Sequence, residues 1–458
     1  MKQKMTFGLS IIPLIALIMT AVLAVFVWKI EMHFPLIIGM MAASIVALIA
    51  GFKWEEIQEM MIKGVTIALP AVFILFIIGT IVGSWIASGV IPTIIYYGLA
   101  IIKPEIFVPI VALVTGIVSI TLGSSFTSIA TVGLAFMAIG QGLGFPPGLV
   151  GGAIISGAFF GDKLSPISDT TNIAAAVAET DLFSHIMHML WDTIPAFLMS
   201  LILYWLFSNT GETIEHADVY AIKEISVGLK STFIIHPILL FVPIITIVLM
   251  VLRIPAIPAL MGVSLLGAFL AVTVQGYSIG ETIAFMMNGY VGETGIARVD
   301  ALLSRGGLMS MLSTISFLIL ATALGGILER TGSFEVLTHK IMEKVKTTGA
   351  LIGSTILSTF LVGFASGEQF LTIILPARTF VNKYKDMGID TKNLSRCVEA
   401  AGTVGINLVP WGVTAVFAAS VLGISPMEFI PFAFFVMLVP FINIVFGFTG
   451  WTIHKKQY

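Results

Sequence analysis

Apolar stretches of about twenty residues recur along the whole chain, and nothing else in it constrains the fold so tightly. They lie at 9–28, 34–51, 65–88, 104–122, 190–208, 232–252, 255–275, 308–328, 349–365 and 428–450. A bilayer core asks for about 20 apolar residues per helix, so each reads as a membrane span. Shorter apolar pieces at 90–102, 126–140, 148–160, 370–382 and 413–423 read as half-spans or re-entrant elements. Only 10% of the 458 residues are charged, too few to cover a soluble protein of this size. The chain is therefore read as an all-α polytopic membrane protein. A net charge of −2 points away from nucleic acid, and the single cysteine, Cys397, excludes an internal disulfide and reads as a packing residue.

The run from Leu9 to Trp28 is longer than a signal-peptide core and is expected to stay as the first helix. Lys2 and Lys4 at one end, with Lys455 and Lys456 at the other, favour both termini in the cytoplasm. Trp28, Trp191, Trp205 and Trp451 fall near span ends, where an amphipathic ring suits the headgroup level; Trp411 does not. The run Trp54-Glu-Glu-Ile-Gln-Glu reads as an amphipathic element on the membrane surface. His33, His185, His188, His216, His339 and His454 stand in loops or at span ends and read as interfacial, while His236 lies just inside a span.

The chain is also written twice. Gly51-Phe-Lys-Trp-Glu-Glu-Ile-Gln-Glu-Met-Met61 is echoed by Gly276-Tyr-Ser-Ile-Gly-Glu-Thr-Ile-Ala-Phe-Met-Met287, and an insertion near 291–305 shifts the later matches. GDKLSPISDT (161–170) aligns without gaps to GINLVPWGVT (405–414). Ahead of each stands another polar interruption, Gly123-Ser-Ser-Phe-Thr-Ser128 in one half and Gly363-Phe-Ala-Ser-Gly-Glu-Gln369 in the other. Each half thus reads as scaffold helices, a re-entrant-type helical hairpin with a polar tip, and a helix broken at a Gly/Pro loop. The first repeat is taken as 1–208, a polar connecting loop as 209–231, and the second repeat as 232–458. Paired, interrupted segments of this kind point to the binding site of a secondary transporter.

Pro166 supplies no N–H and pushes Ser165 out of helical geometry, which frees carbonyls nearby. Such backbone survives at membrane depth only where protein buries it or water reaches it. Asp162, Ser165, Ser168, Asp169, Thr170, Thr171 and Asn172 then gather side-chain oxygens, the ligands a hard cation needs once it sheds water. A carboxylate there can hold a proton or a cation in competition. Lys163 reads as a counter-charge to Asp162 or Asp169. The plainer alternative makes the aspartates caps of half-helices, and Asp169 suits it. Ser125 and Thr127 at one hairpin tip, and Glu368 at the other, are candidates to join the site; Glu368 could instead pair with Arg378. Glu399 reads as either. The stripe Ala153, Gly157, Gly161 predicts close approach of a neighbouring helix.

GAIISGAFFGDKLSPISDTTNIAA (152–175) and SSFTSIATVGLAFMAIG (124–140) resemble the NhaC-type sodium/proton antiporter family, a branch of the ion transporter superfamily that includes malate/lactate exchangers. The resemblance implies two inverted-topology repeats, often a homodimer, with scaffold and transport domains and an elevator-like motion. It implies that Asp162, Ser165, Asp169, Thr170 and Asn172 belong to the transport site, with Na+ placed at Asp162, Asp169 and Asn172. It also implies a multi-pass protein of the bacterial cytoplasmic membrane, with no cofactor beyond the transported Na+ and H+. The mirrored loop departs from the pattern. It holds no carboxylate, leaving Asn407, Thr414 and Trp411 beside Pro410, and Trp411 is expected to close one side of the site or touch an organic substrate.

Na+/H+ exchange is the leading expectation, with coupled exchange of a small carboxylate such as malate or lactate as the alternative. Lys163, Arg378 and the hairpin tips would then meet the anion. An intramembrane aspartyl protease is disfavoured, because Phe159 stands where Gly-x-Gly-Asp needs its first glycine. An enzyme is not expected. Paired broken helices also favour alternating access over a passive channel.

Overall fold

The computed structural model describes every residue except 1–4, 29, 31, 102, 209–218, 253, 344 and 457–458. Lys2, Lys4, His216 and the first part of the connecting loop lie outside the described residues. Helices begin where the sequence caps them. Gly51 and Gly276 both take left-handed φ, at 90° and 81°, and Lys53 and Ser278 follow as N-caps. Glu56 accepts from the Lys53 N–H and Glu281 from the Ser278 N–H, so the two matched segments fold alike.

The first of these helices is one piece of 34 residues, Trp54–Ala87. The Trp54-Glu-Glu run is therefore its opening turn and not a separate surface element. The Glu56 carboxylate starts the helix there by accepting from the Lys53 N–H, and Gly64, just before the apolar part, does not stop it. In the second half the matching run is cut into Ile279–Asn288 and Leu308–Arg330, and the insertion between them carries the short helix Ala297–Leu303. Both pieces pack antiparallel along Trp54–Ala87. A Cβ on Gly64 would collide with Thr322 O, one on Gly79 would meet Gly307 O at 2.6 Å, and one on Gly83 would collide with Phe285 O.

Seven helices among the described residues are long and apolar enough to cross a membrane, or ten if each of three bent pairs counts as one span. The pair Lys223–Thr232 and Pro237–Leu249 bends by 100°, so the expected span 232–252 turns back on its predecessor. Residues 126–140, expected as a half-span, belong to an 18-residue helix, Ser125–Gly142, of which 72% is buried. By contrast only 33% of Ala256–Thr273 is buried, and Leu265 and Phe269 point outward from it, as a lipid-facing scaffold helix requires.

The expected glycine contact is present. Helices Pro104–Leu122 and Pro147–Leu164 touch backbone to backbone: a Cβ on Gly157 would lie 3.0 Å from Gly116 N, and one on Gly161 would lie 2.5 Å from Ile120 N and strike Gly116 O. Backbone cannot move aside as a side chain can. Gly161→Ala is expected to push the helices apart and cost about 1–3 kcal/mol, read as a lower Tm of the purified protein. An unchanged Tm would contradict this packing.

Tryptophans at the span ends are exposed, Trp191 at 50% and Trp205 at 51%, as lipid headgroup contacts would have them. Two histidines depart from the interfacial reading. His185 and His188 are buried, because the helix carrying them, Leu182–Ser208, begins well before the apolar run and packs both inward. His236 caps a short 3-10 turn, accepting from the Ile238 N–H. Cys397 is buried, with the Tyr384 hydroxyl 3.9 Å from its sulfur.

Candidate functional site

Two helix breaks of the same local geometry frame the site. Helix Pro147–Leu164 stops at Ser165, which is extended (φ −82°, ψ 125°), and Ser168 (φ −71°, ψ 132°) starts Asp169–Val177. The matched break stops at Val409 (φ −90°, ψ 110°), and Gly412 (φ −67°, ψ 141°) starts Val413–Leu422. Both four-residue loops close with the same hydrogen bond, Ser168 N to Ser165 O at 3.1 Å and Gly412 N to Val409 O at 2.8 Å. The hairpin tips match too. Gly123 (φ 66°) precedes extended Ser124, and Gly367 (φ 64°) precedes extended Glu368. Glycine is needed at both tips for the left-handed turn and for the close approach behind it. A Cβ on Gly123 would crowd Ile167 and lie 3.1 Å from Ser165 Oγ, and one on Gly367 would lie 2.9 Å from Trp411 O. Each tip leans on the break of its own half.

Where the first break packs against the π-helical segment Glu399–Val404 of the second broken helix, two carboxylates are buried. Asp162 accepts from the Ser125 hydroxyl at 2.6 Å and the Ser168 hydroxyl at 2.7 Å. Ser168 Oγ lies 3.0 Å from Thr170 Oγ1, which donates to Glu399 Oε1 at 3.3 Å; Thr171 Oγ1 reaches the same oxygen at 3.5 Å. A run of hydroxyls thus links Asp162 on the first broken helix to Glu399 on the second. Glu399 opens a π-helical segment, Glu399–Val404, and such segments concentrate at functional sites. A second one, Ile129–Gly133, lies in the hairpin helix that supplies Ser125. Phe126 and Phe417, with ring centroids 4.4 Å apart, close the contact between the halves.

Lys163 departs from its expected role. Its Nζ donates to Asp192 Oδ2 at 2.6 Å, both side chains are wholly buried, and Asn443 Nδ2 donates to the same oxygen at 2.5 Å. Successive residues of a helix point about 100° apart, so Lys163 turns away from the Asp162 side. It still feels Glu399 and Arg396 through their charges. Asp162, Lys163, Asp192, Arg396 and Glu399 are all at most 5% exposed. In ionised form these five carry three negative and two positive formal charges, one negative in excess; Glu368, also buried, caps the second hairpin tip and is counted apart.

The other expected residues divide. Ser165 Oγ donates to Ile120 O at 2.8 Å, and Asn172 Nδ2 donates to Pro166 O and Ser168 O at 2.9 and 2.8 Å, so both brace the loop. Asp169 is exposed in the first turn of its helix, within electrostatic reach of Asp162. Thr127 Oγ1 donates to Ser124 Oγ at 3.1 Å in the hairpin tip. Glu368 caps the helix Gln369–Asp386, accepting from Leu371 N at 2.7 Å; among the described residues no ion pair joins it to Arg378, which is exposed. Trp411 Nε1 donates to Phe364 O at 2.7 Å and, with Pro410, lines a cavity. Asn407 donates to Val404 O at 2.9 Å, while its Oδ1 and the Thr414 hydroxyl have no hydrogen-bond partner. Sequence reasoning left Glu399 undecided and missed Asp192 and Asn443. Their only sequence signal was polarity inside apolar helices.

A model of the Na+/H+ antiporter family matches residues 157–451, which include both helix breaks. The Na(+)/H(+) antiporter NhaC of Alkalihalophilus pseudofirmus is 38% identical over 458 residues, covering 100% of this chain and 98% of that one. NhaC of Bacillus subtilis is 34% identical, covering 98% of this chain and 99% of that one. The malate-2H(+)/Na(+)-lactate antiporter of Bacillus subtilis is also 34% identical, covering 91% of this chain and 88% of its own. By the family match and by these full-length likenesses, the chain belongs to the Na+/H+ antiporter family.

Proposed function

We propose that this chain exchanges Na+ for H+ across the bacterial cytoplasmic membrane by alternating access, working as a homodimer. The observation that carries this reading is the buried pair of carboxylates, Asp162 and Glu399, joined by hydroxyls where the two broken helices meet. One negative charge in excess is neutralised by one proton or one Na+. Holding both at once would leave a buried positive charge, which low-dielectric surroundings oppose. That competition is the minimal requirement for exchange. The matched tips and breaks, and the antiparallel packing of Trp54–Ala87 against its counterpart, support two inverted-topology repeats that rock or slide about this point.

Coupled exchange of a small carboxylate is the second reading, favoured by a cavity of about 880 Å³ lined in part by His33, Tyr290, Arg305, Pro410 and Trp411. That volume suits a small organic ligand. Everted vesicles separate the two. With an imposed ΔpH and no organic acid, added Na+ is expected to collapse the gradient. If collapse appears only with malate or lactate present, the cation-only reading fails and the cavity becomes the substrate site.

A further inference from the structure

Of the four carboxylate oxygens of Asp162 and Glu399, three accept hydroxyl hydrogens, and the fourth, Glu399 Oε2, is buried and has no hydrogen-bond partner among the described residues. Thr403 Oγ1 and Asn407 Oδ1 are buried and unpartnered as well. These residues follow Glu399 at intervals of four, through the π-helical segment Glu399–Val404 and the 3-10 turn Gly405–Leu408. The Thr403 side chain stands beside the Glu399 carboxylate, near enough for its hydroxyl to turn toward it though outside the geometry of a full hydrogen bond. Asn407 turns its Nδ2 back to Val404 O at 2.9 Å and Thr403 O at 3.4 Å, which leaves its oxygen for another partner. Buried oxygens left without a partner are costly, most of all on a charged group. Glu399 Oε2 and Asn407 Oδ1 can only accept, and the Thr403 hydroxyl can accept as well as donate, so all three have lone pairs to offer a cation.

We propose that Na+ is held by Glu399 Oε2, Thr403 Oγ1 and Asn407 Oδ1, on the side of Glu399 turned away from Asp162. Asp162, whose two oxygens already accept hydroxyl hydrogens, then supplies charge across the hydroxyl run and does not ligate the ion directly. All three proposed ligands are oxygens, as a hard monovalent cation prefers. They come from the second broken helix, so the carboxylate missing from its loop is supplied one element earlier in the chain. This inference rests on reading the cluster as a Na+/H+ exchange site.

Thr403→Val separates ligation from packing. The Thr403 hydroxyl has no partner, so a structural role predicts an unchanged or higher Tm and an unchanged response to Na+. A ligand role predicts an equal or higher Tm in choline buffer, but at least a tenfold rise in the Na+ concentration that half-saturates the Na+-induced Tm shift. It also predicts a changed preference between Na+ and Li+. Thr403→Ser, which keeps the hydroxyl, is expected to restore both. Wild-type half-saturation and ion preference in Thr403→Val would overturn the proposed ligand set while leaving the exchange reading intact. If the unaltered protein shows no Na+-dependent shift at all, the exchange reading falls and the ligand set falls with it.

Discussion

Asp162→Asn is expected to abolish Na+-driven collapse of ΔpH in everted vesicles. The change is nearly isosteric and keeps one acceptor, so helix Pro147–Leu164 and its glycine contacts should persist. What it removes is the excess negative charge, and the cluster is then neutral before any cation arrives. It also turns an acceptor of two hydroxyl hydrogens into a group with its own N–H donors, which face Ser125 and Ser168. Losing one partner of a buried charge constellation weakens binding by about 2–5 kcal/mol or more, which here is about 30-fold to over 1,000-fold in the Na+ binding constant. Expression and Tm near those of the unaltered protein, with exchange lost, is the expected pair of results. Exchange retained within threefold would remove Asp162 from the mechanism.

Lys163→Met is expected to act on stability instead. It leaves the Asp192 carboxyl buried without its cation, held by Asn443 Nδ2 and by Thr193 Oγ1 at 3.2 Å. Removing one partner of a buried pair costs about 3–5 kcal/mol, whereas replacing both partners by apolar groups is often close to neutral. A strongly lowered Tm in Lys163→Met, and most of it recovered in Lys163→Met with Asp192→Leu, is therefore predicted. The double variant is the informative one. If it recovers stability but not exchange, the positive charge beside Glu399 serves transport; if Lys163→Met alone is as stable as the unaltered protein, the pair is not held as described. Asp192→Asn offers a milder check in the same direction.

Local chemistry was legible in the sequence. Pro166 and Pro410 mark the breaks, the glycines at 123 and 367 mark the hairpin tips, and Gly157 and Gly161 mark a helix contact, because each effect acts within a turn or along one helix face. Partnership across helices was not. Thr170 and Glu399 are 229 residues apart, and no local pattern records that they meet. Lys163 misled for a geometric reason, since adjacency in sequence reads as proximity while a helix sends neighbours to different sides. The Trp54 run misled because charges in a first turn look the same whether the helix stops or continues. Glu399 stands outside the mirrored loop, so the gapless alignment of the breaks made the second half look stripped of carboxylate.

The excess of one negative charge among the five buried groups bears on how membrane voltage acts. Moving one elementary charge through 100 mV is worth about 2.3 kcal/mol. A cluster that enters the membrane field already balanced by one monovalent cation does no electrical work in crossing, whichever cation it carries. The bare cluster, by contrast, would carry its charge through the whole field. On this charge count, voltage acts on the bare cluster and not on one balanced by a single monovalent cation.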